Sequence, residues 1–153
     1  MPAVQNTGLA LVLPARGAAF GDLFKDDKID VVLNNINSTP TLLRNVNDDH
    51  HHWIEFQLVG GPGGSRDATG ASIFLTVGKV TQRGDVLSGG SFASSNDPRV
   101  HFGLATATSM DAVIVHWPGG KEEKVIVHAV DRIYTIEQGK GITGQRSNPE
   151  VRR

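Results

Sequence analysis

Hydrophobic and polar residues alternate over short stretches along most of the chain, and long runs with helical spacing are missing. Over residues 53–59, Trp53, Glu55 and Gln57 oppose Ile54, Phe56 and Leu58, the alternation of a half-buried strand. Over residues 111–117, Ala112, Ile114 and His116 oppose Val113, Val115 and Trp117. Both sets are largely apolar, which predicts a central strand. Comparable runs predict strands at 29–34, 41–44, 71–77, 80–87, 100–104, 124–127 and 133–137.

The breaks between these runs carry turn chemistry. Gly60-Gly61-Pro62-Gly63-Gly64-Ser65 predicts a flexible loop. Asp97-Pro98 predicts an extended residue followed by a turn. Trp117-Pro118-Gly119-Gly120 predicts a hairpin with proline at the first turn position and glycine where positive φ is required. Strands at roughly ten-residue spacing predict an all-β protein, an antiparallel β-sandwich or barrel-like domain. A polar, His-rich stretch at 45–52 marks the best boundary, and the stretch after Gln138 reads as a flexible tail over 138–153.

Length and charge narrow the function classes. With 153 residues the chain is long enough for one ordinary domain, or a domain plus part of another. A net charge of −1 with scattered basic residues predicts no nucleic-acid or membrane partner. There is no cysteine, hence no disulfide and no thiolate chemistry. No apolar run approaches the roughly 20 residues of a membrane helix, and residues 8–13 lack the basic flank of a secretion signal.

Candidate chemistry is sparse. Asp22, Asp26 and Asp30 stand at positions 1, 5 and 9 of an acidic loop running into an apolar strand, a spacing that can gather hard oxygens around calcium. Phe24 supplies no oxygen at position 3, Asp27 stands where a glycine would make the sharp turn, and Lys25 and Lys28 add positive charge. The alternative is a solvated turn whose carboxylates accept local backbone N–H groups. Arg66, Asp67 and Gly70 read either as a turn or as a polar ligand contact in which Arg66 grips a carboxylate or phosphate. His101, between Val100 and Phe102, points away from the face those two share. A ligand contact there competes with a structural role. Asp48-Asp49-His50-His51-His52 has the residue types of a transition-metal chelate on a flexible run. Residues 139–144 fit G-x-G-x-x-G, but no helix former follows. Asn37-Ser38-Thr39 is a formal glycosylation sequon. Nucleophile-elbow and zinc-protease motifs are absent, and the chain is expected not to be an enzyme.

Two stretches resemble known families. Residues 16–23 (Arg-Gly-Ala-Ala-Phe-Gly-Asp-Leu), followed by Ile29-Asp30-Val31-Val32-Leu33-Asn34-Asn35, resemble an FG-GAP repeat, a blade unit of β-propellers. That resemblance implies a short propeller-blade-like segment over 1–45, with Asp22, Asp26 and Asp30 as calcium ligands. His52-Trp53, Leu58-Val59-Gly60, the run Ser65-Arg66-Asp67-Ala68-Thr69-Gly70-Ala71, Asp97-Pro98-Arg99-Val100-His101-Phe102-Gly103-Leu104 and Val115-His116-Trp117-Pro118-Gly119-Gly120 resemble the ASPIC/UnbV domain, over 52–137. It implies an extracellular or periplasmic β-module that follows FG-GAP repeats. The expected function is non-catalytic binding of a protein or glycan ligand, or of β-propeller repeats. The second expectation is an auxiliary component of a biosynthetic enzyme system, with a polar pocket around Arg66, Asp67 and His101.

Overall fold

The computed structural model describes residues 7–47 and 50–147. The chain divides into two units: Met1–Asn47 with Gly89–Asp97, and Asp48–Ser88 with Pro98–Arg153. Among the described residues, eleven strands and one short 3-10 turn make up the regular structure, and no helix is long and apolar enough to cross a membrane.

The second unit is a β-sandwich. One sheet holds β4 (His52–Val59), β7 (Val100–Ala105), β10 (Arg132–Glu137) and β11 (Gly141–Arg146), in the order β11-β10-β4-β7. The other holds β5 (Ser72–Val77), β6 (Val80–Asp85), β8 (Ala112–His116) and β9 (Glu122–Val125), in the order β6-β5-β8-β9. The alternation read from the sequence supplies the core: Ile54, Phe56 and Leu58 of β4 face inward with Ile73, Leu75, Val113 and Val115 of the opposite sheet. The ring of Phe56 meets Phe102 edge-on at 6.0 Å and stacks on Tyr134 at 6.2 Å, both favourable ring geometries. Buried Tyr134 keeps its hydroxyl satisfied, donating to Ala129 O and accepting from Ala129 N. β8 is central in its sheet, as its two apolar faces predict.

The turns follow the sequence closely. Gly119 and Gly120 take φ of 92° and 88° in the β8–β9 connection, where Gly120 N donates to Trp117 O. Gly70 takes φ of 90°.

Of the two expected forms the sheets make the sandwich and do not close into a barrel. Two expectations are corrected. β10 runs parallel to β4, so that sheet is mixed rather than antiparallel. β10 arrives by a crossover from the other sheet, and no tight turn dictates its direction. The stretch taken for a flexible tail contains β11, which pairs antiparallel with β10 and packs Ile142 against the core. The G-x-G-x-x-G run is therefore a hairpin, with Gly139 and Gly141 at positive φ. Residues 148–153 lie outside the described residues.

The first unit is a three-stranded antiparallel sheet, β1 (Ala15–Gly21), β2 (Asp30–Asn35) and β3 (Thr41–Leu43). It is not confined to residues 1–45, because Gly89–Asp97 lies along the free edge of β1. This segment, the strap, emerges between β6 and β7. Ser91 Oγ accepts from Ala18 N at 3.1 Å, Asn96 Oδ1 accepts from Phe20 N at 3.1 Å, and Asp97 N donates to Phe20 O at 3.0 Å. The Arg16 guanidinium lies 4.4 Å from the Phe92 ring centre.

Within the sandwich, Gly84 of β6 is a close-approach position. A Cβ there would stand 2.2 Å from Val100 Cγ1 and 3.0 Å from Phe102 Cζ. Overpacking of this kind costs about 1–3 kcal/mol. Gly84→Ala is expected to lower stability by that amount in urea unfolding followed by tryptophan fluorescence, and an unchanged midpoint would show that β6 and β7 can separate freely.

Candidate functional site

The acidic loop joins β1 to β2. Asp22 Oδ1 accepts from Asp26 N at 3.0 Å and Asp22 Oδ2 from Asp27 N at 3.1 Å. Asp30, fully buried, accepts from Leu23 N through Oδ2 at 3.1 Å and from Asn45 N through Oδ1 at 2.9 Å. Asp27 takes φ of 65° and Lys25 φ of 56°, so the position that glycine would favour is held by aspartate in the left-handed region. The carboxylates accept local amides, as the turn reading expects, and they also converge.

One carboxylate oxygen from each of Asp22, Asp26 and Asp30 lies within 4.8 Å of the others. That limit is roughly twice a calcium–oxygen distance. Asp26 Oδ1 is buried with no hydrogen-bond partner. An acceptor in that position fits a hard cation. Arg44 works against it: its Nη2 donates to Asp26 Oδ2 at 2.9 Å, and its guanidinium lies 4.3 Å from the centre of the Phe24 ring. Phe24, the residue that departs from a calcium loop, is thus the platform for a cation carried by the chain itself. The sequence spacing held no signal for Arg44, which stands 18 residues from Asp26.

Arg66, Asp67 and His101 are not gathered into one pocket. Arg66 and Asp67 are highly exposed and face each other at 3.6 Å on the loop that follows β4. His101 lies on β7 opposite Glu55, separated from that loop by the four residues of β4 that follow Glu55, roughly 13 Å of strand. A cleft of about 340 Å3 lined by residues 110–113 and 124–127 contains none of the three. His101 does point away from the core side of β7, as its neighbours predict, and its ring stacks on Trp53 with centres 5.8 Å apart.

Two polar features around β4 were not legible in the sequence. Glu55, read as a solvent-facing strand residue, is buried and paired with Arg99 at 2.8 Å, with side chains 5% and 17% exposed. Asp131, at φ of 57°, accepts from Trp53 N at 3.1 Å and pairs with His52 Nδ1 at 2.7 Å. His52 is thereby fixed at the start of β4. Of the proposed chelating run, Asp48 and Asp49 lie outside the described residues. Among the described residues, the acidic loop is the one group of three or more metal-ligating side chains that converges. On the far side of the sandwich, hydrogen bonds from Arg83 and then Ser72 hold the Asp85 carboxyl below its ordinary pKa.

Removing Arg99 strips the buried Glu55 carboxylate of its ion-pair partner, a loss of about 3–5 kcal/mol. Arg99→Met is expected to cost that much in chemical denaturation, and adding Glu55→Gln to recover most of it. Equal losses for the single and double variants would show that the two charges are not coupled.

No curated protein matches the chain. The family model described as ASPIC and UnbV matches residues 61–143, which reach past Gln138 into β11 and leave out β4. With more than half of its length in that match, the chain belongs to the ASPIC and UnbV family.

Proposed function

We propose that the chain is a non-catalytic interaction module whose first unit is a blade-like sheet made to be covered by the repeats of an FG-GAP β-propeller. The observation that supports this reading is the two-sided apolar character of the β1–β2–β3 sheet. Phe20, Val31 and Leu43 are cross-strand neighbours on one face; Ala19, Val32 and Leu42 are neighbours on the other. Yet no apolar side chain of this unit is buried among the described residues; its buried side chains are Asp30 and Asn35. Phe20 and Leu42 remain 46% and 50% exposed.

A sandwich sheet has one apolar face and one wet face. Apolar residues on both faces belong to a sheet packed between two others, the situation of a propeller blade. The partner is therefore a protein surface of β-sheet type, reached in the extracellular or periplasmic setting that the FG-GAP and ASPIC/UnbV resemblance implies. A purified FG-GAP β-propeller titrated into the chain is expected to bind with a Kd of about 1 µM or tighter. Leu42→Asp, on an exposed position, is expected to weaken binding at least about tenfold. Absence of heat at any accessible concentration would overturn the reading.

Calcium enters as a support for this sheet. Asp22, Asp26 and Asp30 would hold it and so brace the β1–β2 connection. The Arg44 guanidinium and the phenylalanine at position 3 argue for weak affinity, about 1 mM. At about 10 mM calcium, a site of that strength stabilises by about 1.4 kcal/mol. A raised melting temperature in calcium, absent with magnesium and lost in Asp26→Ala, is the expected result. Identical melts with calcium and with chelator would leave the loop as an amide-binding turn alone.

A further inference from the structure

Beside the acidic loop, the strap and the end of β1 enclose a second cleft of about 210 Å3. The cross-strand partners Ala19 and Val32 line it together with Asp22, Ser95, Asn96 and Asp97, and the Asp97 carboxylate lies beside Gly21. Among the described residues that line it, none is basic. Gly21 contributes no side chain: a Cβ there would lie 3.4 Å from Asp97 Cβ and 3.8 Å from Asp97 Oδ2, in ordinary contact. The cleft is open because this residue is glycine, not because the backbone needs one.

We propose that this cleft receives a single basic side chain, lysine or arginine, from the protein that covers the first unit. Size points to one side chain, since small-molecule pockets run from about 300 to 1,000 Å3. Chemistry points to a basic one. An apolar wall with the Asp97 carboxylate beside it matches a side chain that buries a methylene stem and keeps a charged head in water. The strap is essential to this arrangement, because it alone brings Asp97 alongside Gly21. The proposal rests on the reading of the first unit as an interaction sheet, and it names the chemistry that such a partner presents there.

The test uses the full chain, labelled with nitrogen-15, and two neutral-ended probes: Nα-acetyl-lysine N-methylamide and its uncharged counterpart, Nα-acetyl-norleucine N-methylamide. The lysine probe is expected to shift the amide signals of Ala19, Gly21, Asn96 and Asp97 with millimolar affinity, and the norleucine probe to leave them in place. Asp97→Asn is expected to weaken the lysine probe about threefold. Raising the salt concentration should weaken it as well. Gly21→Val, which fills the cleft at a β-compatible position, is expected to abolish the shifts while the remaining spectrum stays that of the folded chain. Equal shifts from both probes, no shifts from either, or shifts that survive Gly21→Val would overturn the proposal. Propeller binding reads out separately. Lysine-probe shifts without propeller binding would sink the partner and keep the cleft, and the reverse result would sink the cleft alone.

Discussion

The first unit depends on what satisfies the outer edge of β1. A strand has hydrogen-bonding groups on two sides, and β2 serves only one of them. On the other, Ser91 and Asn96 accept from the amides of Ala18 and Phe20, and Asp97 N returns a bond to Phe20 O. Two of these three bonds use side chains where another strand would use its backbone. The imitation requires close approach: a Cβ on Gly17 would stand 2.5 Å from Ser94 Oγ and 2.6 Å from Phe92 O. Because the strap emerges between β6 and β7, the unit is assembled from chain segments more than 70 residues apart. Contacts of such separation carry the entropy cost of closing a long loop.

The two units solve the burial problem in opposite ways. The sandwich has an inner face on each sheet and a continuous apolar core between them, including Phe56, Ile73, Leu75 and Val115. Its one deeply buried charge, Glu55, is matched by Arg99. In the three-stranded sheet the apolar residues stay half-exposed and the interior positions go to Asp30 and Asn35, both occupied with backbone or hydroxyl partners. Hydrogen bonds hold that sheet in shape, while its hydrophobic surface stays largely outside the balance. Surface left in that state is what an association can use.

The sandwich was legible because its strands alternate cleanly and its turns use residues with few alternatives, as at Pro118-Gly119 and Gly70. All nine strands expected from pattern exist with shifts of a residue or two at their ends. β1 and β11 were missed for a shared physical reason. β1 is built of Ala and Gly with one Arg and one Phe, and β11 of Gly, Thr and polar residues around Ile142, compositions of low intrinsic strand preference. Both are strands because a partner lies alongside, which is tertiary information. The same holds for the site. The spacing of Asp22, Asp26 and Asp30 was visible in sequence and their convergence follows from one tight loop. Arg44, Arg99, Asp131 and the strap come from distant positions, and no local pattern marks them.

The amide contacts of the acidic loop bear on what a metal would do there. A loop that exists only around its ion would collapse into repelling carboxylates once the ion left. Here four backbone N–H groups, two on Asp22 and two on Asp30, fix the path of the chain. Arg44 neutralises part of the charge at Asp26. The left-handed residues Lys25 and Asp27 close the turn without glycine. The loop is therefore preorganised by the protein's own donors, and a cation binding to it would gain little from folding the loop and more from a buried acceptor oxygen such as Asp26 Oδ1. Preorganisation of this kind separates the support of the β1–β2 connection from metal supply. The loop's own hydrogen bonds hold the sheet's geometry, and a bound cation would adjust its stability rather than its existence.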